Sequence, residues 1–480
     1  MTDADVLIVG AGIAGLTLAH DLARGGRRVV ALEAADEPGG LLRRGRLAGI
    51  DLDLGAESFA TRTDAVASLI ADAALDLDVV SPRGGGAHLA LAAPSRGDGA
   101  VRAPLPRRTV LGIPADPLAP DVVALIGTDA AARAATEIDL PALTRAELDA
   151  EPSLFDLVAE RCGPRVAERL VDTLCRSVYS RPAAELRLSA LNPAMWRAVQ
   201  AHGSLTAAAS EVAQTARAGA AVGGISGGMW RLPAALASAA RAHGAAIRTG
   251  VVVDAVTGTG ERVVVHTSAG SFTAPDVVVA TGPAVAARLL GADTGIGSAA
   301  HGDAARRADP CPAPVRVVAA AVDHAGLDAF PVGSGVIVDP ALASAAKALT
   351  HVNAKWDWAD AATPSGRHLV RLSARDSAAA GLDTADDVAR ALSLLTGLDI
   401  RGGDVVDLVV QEWSDAVASG RTETLGRVAA ERGLHLAGAT AAGTGLASVI
   451  PHARALAAAL LASSDAPEPT PSAAPTRSLA

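Results

Sequence analysis

The opening of the chain, through Glu33, constrains its fold more than any other stretch. Asp5–Val9 (DVLIV) reads as a short buried strand, Gly10–Gly15 follow as GAGIAG, and a helix-like run extends to about Arg24. Arg28–Leu32 (RVVAL) then reads as a second strand that ends at Glu33. Strand, glycine turn, helix and strand in that order make a βαβ unit. In a chain with 48 glycines a GxGxxG spacing alone carries little information, and its place between a strand and a helix is what gives it meaning. Gly10 permits the tight turn, Gly12 lets a pyrophosphate approach the backbone, and Gly15 lets helix and strand pack closely. The helix N-terminus then offers free N–H groups and a positive dipole end to phosphates. Glu33 stands where a carboxylate accepts hydrogen bonds from both hydroxyls of an adenosine ribose, and there it repels a 2′-phosphate, which argues against NADP.

Six residues beyond Glu33 comes a second glycine pair, Gly39-Gly40, followed by Arg43 and Arg44. A second close backbone approach with an arginine to neutralise phosphate charge is unnecessary for a nicotinamide alone, so the expected dinucleotide is FAD.

Composition sets the outer bounds. A chain of 480 residues is too long for one core, and half of it is hydrophobic, so two or three domains are expected. The net charge of −10 disfavours a phosphate backbone as partner, so nucleic acid is excluded. Cys162, Cys175 and Cys311 are widely spaced and read as reduced thiols of a cytoplasmic protein. The N-terminus lacks the pattern of a signal peptide, and no uninterrupted apolar run reaches the roughly 18 residues of a spanning helix, so membrane contact is expected to be peripheral at most. No metal-ligand spacing is found, and His202 and His452 read as ordinary histidines.

The nucleotide-binding part reads as split along the chain. Residues 1–80, 223–300 and 430–462 are expected to form an α/β, Rossmann-type FAD-binding domain, discontinuous in sequence. Residues 81–150 and 301–429 form an α+β substrate domain, and 151–222 a helical insertion. The Ser-, Pro- and Ala-rich end, 463–480, reads as a disordered tail. IRTGVVVDAV, ERVVVHT and DVVVATG read as strands, as does LHLA at Leu434–Ala437, and Ile450–Ala462 reads as the last helix.

Longer motifs carry a resemblance. VLIVGAGIAGLTLAHDLARGGRRVVALEAADEPGG, GIDLDLGAESF, LGIP at Leu111–Pro114, PSLFDLVAERCGPRVAERLVDTLCRSVYSRPAAELRLSALNP, GGISGGMWRLPAALA, LTHVNAKW and LHLAGATAAGTGLASVI together span nearly all of the ordered chain. The sequence resembles the flavoprotein porphyrinogen oxidases of haem biosynthesis, within the amine oxidase and phytoene desaturase superfamily. It departs from that pattern at Ala56, which takes a proline position, and after Trp413, where a Pro-Gln-Tyr step is missing. It departs again at Ala441, often an aromatic, and at Ala453, often a glycine.

The resemblance implies an amine oxidase-like fold with FAD held by Gly10, Gly12, Ile13, Ala14, Gly15, Glu33, Ala34, Gly39, Gly40 and Arg43. Later segments add Gly55, Ser58, Val253, Gly438, Thr440, Gly445 and Leu446. It also implies oxidation of a porphyrinogen to a porphyrin, six electrons in three flavin cycles, with oxygen reduced to hydrogen peroxide. Coproporphyrinogen III is favoured over protoporphyrinogen IX by the soluble, bacterial character of the sequence. Ferrochelatase is a candidate recipient of the product. Met229 and Trp230 are placed against the flavin or the cavity, and Arg43, Arg176 and Lys355 are candidates for the substrate's propionates. No His–Asp or Ser–His arrangement is nominated for catalysis. Other readings stay open: a desaturase of the same fold, and a flavoprotein without catalysis. An amine oxidase is harder to build, since its aromatic pair beside the flavin meets a chain with one tyrosine, Tyr179.

Overall fold

The structure, a computed structural model, describes residues 4–92, 99–179, 181–215, 222–258, 263–291, 314–375, 381–414 and 422–464. Cys311, the stretch 415–421 that lacks the Pro-Gln-Tyr step, and the tail from 465 lie outside the described residues.

Val6–Val9 forms the centre of a five-stranded parallel sheet ordered Ala246–Arg248, Val29–Leu32, Val6–Val9, Asp276–Val279, His435–Leu436. Val6 is in register with Val29 on one side and Asp276 on the other. The central strands read VLIV and VVAL and are buried on both faces, as parallel strands covered on both sides must be. One face packs on the helices Ile13–Arg24 and Leu446–Ser464 through Leu18, Leu22, Val449, Ala453 and Leu460. Each such leucine contributes about 1.5–3 kcal/mol by leaving water. The other face packs on Val253, Val265, Phe272, Leu289 and Leu425. This is the expected Rossmann-type sheet.

Two local expectations change. IRTGVVVDAV is not one strand: Ala246–Arg248 joins the parallel sheet, and Val253–Thr257 starts a separate antiparallel sheet. Gly250 at φ +68° turns the chain between them, and the N–H groups of Gly250 and Val251 donate to Ala35 and Glu33. The last helix starts at Leu446, ahead of Ile450. It is also the described helix whose length and composition would suffice to cross a membrane, with a mean hydropathy of 1.4 over Leu446–Ser463. Here it serves the core, and Arg454 within it pairs with Asp72 at 2.8 Å and with Asp21 at 3.3 Å.

A seven-stranded mixed sheet is ordered 405–413, 315–323, 367–375, 348–351, 335–338, 88–92, 100–104. Its strand Val315–Asp323 shows period-2 logic. Val318, Ala320 and Val322 face the helix Ala385–Thr396. Ala319 and Ala321 face Leu47, Leu52 and Trp356, and so dock this sheet on the nucleotide-binding part. A helical block, including Leu154–Cys162, Pro193–His202 and Leu205–Thr215, packs beside Leu89 and Leu91 of the same sheet.

Candidate functional site

The glycine loop sits where the sequence reading put it, at the C-terminal end of Val6–Val9, and each of its glycines meets a different constraint. Gly10 is at φ +101°, with a Cβ position 2.8 Å from the carbonyl oxygen of Ala280. A Cβ on Gly15 would lie 2.0 Å from the Gly10 carbonyl oxygen. Gly12 caps the helix Ile13–Arg24 with no side-chain hydrogen bond, and the first turn carries no acid. The N-terminal N–H groups are thus left to an anion. Ile13 and Ala14 form that first turn.

The second glycine pair closes on the first. Gly39 donates its N–H to the Ala11 carbonyl at 2.9 Å, and a Cβ on Gly40 would lie 3.2 Å from the Gly12 Cα. Gly39 and Gly40 hold φ values of +141° and +57°. Glu33 is held by the backbone: its carboxylate accepts from Ala11 at 2.7 Å and, across Ala34, from Ala35 at 3.0 Å. Glu33, Gly39, Gly40, Arg43, Trp230 and Trp413 line a cleft of about 400 Å³, with Arg241 on its wall. Arg44 stacks 4.7 Å from the centre of the Trp230 ring and pairs with Asp51 at 2.6 Å.

The chain's last segment returns to the same edge. Gly438, at φ +81°, has a Cβ position 3.6 Å from Ala14. Thr440 is buried, and its hydroxyl donates to the Thr281 carbonyl at 2.8 Å. Gly445, at φ +99°, faces open space and leads into the helix that starts at Leu446. Val253 is a core residue whose carbonyl accepts from Arg288 at 3.1 Å; two residues before it, Val251 bonds Glu33.

Gly55 marks a junction. A Cβ there would lie 1.8 Å from the Leu41 carbonyl oxygen and 3.3 Å from the Trp413 ring of the first cleft. On the other side Gly55, Glu57 and Ser58 line a second cavity of about 440 Å³, bounded also by the seven-stranded sheet and by Ser177 and Val178. Lys355 and Arg371 are on its wall. Glu57 joins them: Lys355 Nζ donates to Oε1 at 2.8 Å, Thr350 donates to the same oxygen at 3.0 Å, and Arg371 Nη1 is 2.8 Å from Oε2. Burial alone would raise the Glu57 carboxyl, but the charges of Lys355 and Arg371 and the two hydrogen bonds bring it down to about 2.

The other two substrate candidates stand elsewhere. Arg176 pairs with Asp172 at 2.7 Å and lines a separate small pocket with Asp339 and Lys347. Met229 is fully buried among core side chains, and its N–H donates to Asp53 at 2.9 Å. Asp53 also accepts from Trp230 at 2.8 Å, so one carboxylate ties the hairpin 44–53 to the turn before the helix Arg231–Ala242. Glu57, Arg371 and Asp53 are not among the residues nominated from sequence. Arg371, a charge inside the apolar strand run HLVRLSA, was the available signal.

Burial raises the Asp53 carboxyl to about 6, against the two backbone hydrogen bonds it accepts. The folded protein therefore binds a proton between pH ~4 and ~6 that the unfolded chain has released. Stability from this group is fully present below pH ~4 and is lost as pH rises through 6, by about 3 kcal/mol. Melting scans across that window are expected to show a downward slope with pH that Asp53→Asn flattens. An unchanged slope in the variant would contradict the assignment.

Residues 13–461 match the family described as flavin containing amine oxidoreductase. The coproporphyrinogen III oxidase of Mycobacterium tuberculosis is 32% identical over 429 residues, 87% of this chain and 87% of that protein. Its Mycobacterium leprae counterpart is 31% identical over 426 residues, 87% and 88% of the two chains. A crystal structure of a protein provisionally named protoporphyrinogen oxidase, from Exiguobacterium sp. 255-15, superposes with a TM-score of 0.78 at 18% identity, covering 96% of this chain and 100% of that one. The uncapped helix N-terminus, the paired glycine turns and the pinned Glu33 fit FAD, which the family carries. The chain belongs to the flavin-containing amine oxidoreductase family and is an FAD-dependent oxidoreductase.

Proposed function

We propose that this protein oxidises coproporphyrinogen III to coproporphyrin III, with oxygen as the terminal acceptor. The observation that carries this reading is the match, over 87% of this chain, to proteins named coproporphyrinogen III oxidase. The second cavity supports it. Its wall offers Val317, Val336 and Ile337 to an apolar tetrapyrrole ring system and Lys355 and Arg371 to acidic substituents. FAD, when bound, supplies the two-electron acceptor that amino-acid side chains lack. The overall conversion removes six hydrogens from the porphyrinogen, and three oxygen molecules take them up as three molecules of hydrogen peroxide.

The chain's own residues bind and orient the cofactor. Gly12 and Gly40 leave the backbone open to the pyrophosphate, and the helix that starts at Ile13 neutralises part of its charge. Glu33, fixed by two N–H groups, presents its remaining lone pairs to the ribose. The segment Leu54–Ser58 lies between the cofactor cleft and the second cavity, with Gly55 against the Trp413 ring on one side and lining the cavity on the other.

Aerobic turnover of the FAD-loaded protein on coproporphyrinogen III and protoporphyrinogen IX, side by side and against no-enzyme controls, tests the reading. Faster appearance of coproporphyrin fluorescence is expected. Faster protoporphyrin formation overturns the substrate, and no acceleration of either overturns the reading.

A further inference from the structure

The wall of the second cavity carries two cations, Lys355 and Arg371, and one carboxylate, Glu57, while the Asp53 carboxylate, which does not line the cavity, also lies within reach of the Arg371 charge. Lys355, Arg371 and Glu57 have side-chain exposures of 14%, 9% and 16%, so water screens their charges little. Donor capacity is also left over. Lys355 has three N–H donors and gives one of them to Glu57. Arg371 gives Nη2 to the Gly55 carbonyl, its Nη1 meets Glu57 off the angle of a hydrogen bond, and its buried Nε has no hydrogen-bond partner. The geometry follows from the fold. Thr350 and Arg371 are cross-strand neighbours, and Lys355 ends the short helix that follows Ala348–His351, so both cations reach the same carboxylate from the sheet side.

We propose that Lys355 and Arg371 form a recognition subsite for one carboxylate of the substrate, with Glu57 tethering the two cations at the cavity wall. This rests on the reading that the substrate is a tetrapyrrole acid, and it assigns one of its propionates to a specific place. A carboxylate entering the cavity meets the two unused N–H donors of Lys355 and the adjacent positive charge of Arg371. A neutral ester of the same ring system meets the same apolar wall without that attraction. The subsite therefore selects for acidic substituents and fixes which edge of the ring system faces the sheet.

The test compares coproporphyrinogen III with its tetramethyl ester, as the ratio of their kcat/KM values, in the FAD-loaded full chain. The wild type is expected to prefer the acid. Lys355→Met is expected to lower the acid-to-ester ratio about 10- to 100-fold, the worth of one charge-assisted hydrogen bond. Lys355→Arg restores most of it. Glu57→Gln removes the competing negative charge and is expected to lower KM for the acid, a direction that mere loosening of the wall does not produce. A wild type indifferent to esterification, or a Lys355→Met variant in which acid and ester suffer equally, overturns the subsite and leaves the proposed function standing. A wild type that turns over neither compound overturns the proposed function, and the subsite falls with it.

Discussion

Gly15→Val is expected to yield protein that retains no FAD. The Cβ of any residue at this position would lie 2.0 Å from the Gly10 carbonyl oxygen, which belongs to the backbone and has no flexible end to move. The helix Ile13–Arg24 would have to shift off the strand Val6–Val9, and the N–H groups of its first turn would leave the place where the pyrophosphate is held. A useful control is Gly26→Ala. That glycine is at φ +85° with no atom within 4 Å of a Cβ, so the change costs about 1 kcal/mol of backbone strain and leaves the loop alone. The ratio of visible flavin absorbance to protein absorbance in the purified variants checks both. A Gly15→Val protein with stoichiometric flavin would contradict this account of the loop.

The second large effect concerns stability, in the helical block. Glu137 is fully buried, and five donors converge on it. Arg161 Nε donates at 2.7 Å, the Ser204 hydroxyl at 2.6 Å, the Thr206 hydroxyl at 2.7 Å, and the N–H groups of Leu205 and Thr206 at 2.8 and 3.0 Å. Burial would raise this carboxyl, but the hydrogen bonds outweigh it and hold it below its ordinary value. Arg161 also donates to the carbonyls of Pro141 and Gly203, so the pair joins three stretches of chain. Glu137→Gln turns one acceptor into a donor facing donors and leaves the Arg161 charge uncompensated. A loss of about 3–5 kcal/mol is expected, read as a melting temperature lower by about 3–5 °C when the whole chain unfolds as one unit. Arg181→Ala, which removes an exposed pair with Glu185, is expected to leave the melting temperature unchanged. Equal melting temperatures for Glu137→Gln and wild type would show that this clasp is not what holds the block together.

Much of the nucleotide-binding fold was legible because its signals are local. A run of four apolar residues, a glycine turn, a helix and a second apolar run occur within one short window, and a carboxylate at the end of the second strand needs no long-range knowledge. The sheet's outer members were harder. His435–Leu436 falls inside the LHLA run that reads as a strand, but Ala246–Arg248 reads as continuous with Val253–Thr257, because apolar periodicity runs through Gly250 and says nothing of which strand pairs with which. The cavity cluster was half visible. Lys355 stands out in the sequence as a cation in LTHVNAKW, while Glu57 is one residue of GAESF and Arg371 one residue of an apolar strand run. Only the pairing of Ala348–His351 with Arg367–Arg375 brings Thr350 and Arg371 side by side above Glu57. Arg176 shows the converse. Its type and charge suited a propionate, but the helix Thr173–Val178 turns it toward Asp172 and presents Ser177 and Val178 to the cavity.

The central proposal is that electrons pass from a porphyrinogen acid held in the second cavity to FAD held along the first cleft. The most direct measurement mixes the FAD-loaded protein with coproporphyrinogen III without oxygen and follows the visible flavin band. The account predicts that the band bleaches as coproporphyrin appears and returns when oxygen is admitted. A flavin that stays oxidised in the presence of excess porphyrinogen would contradict it.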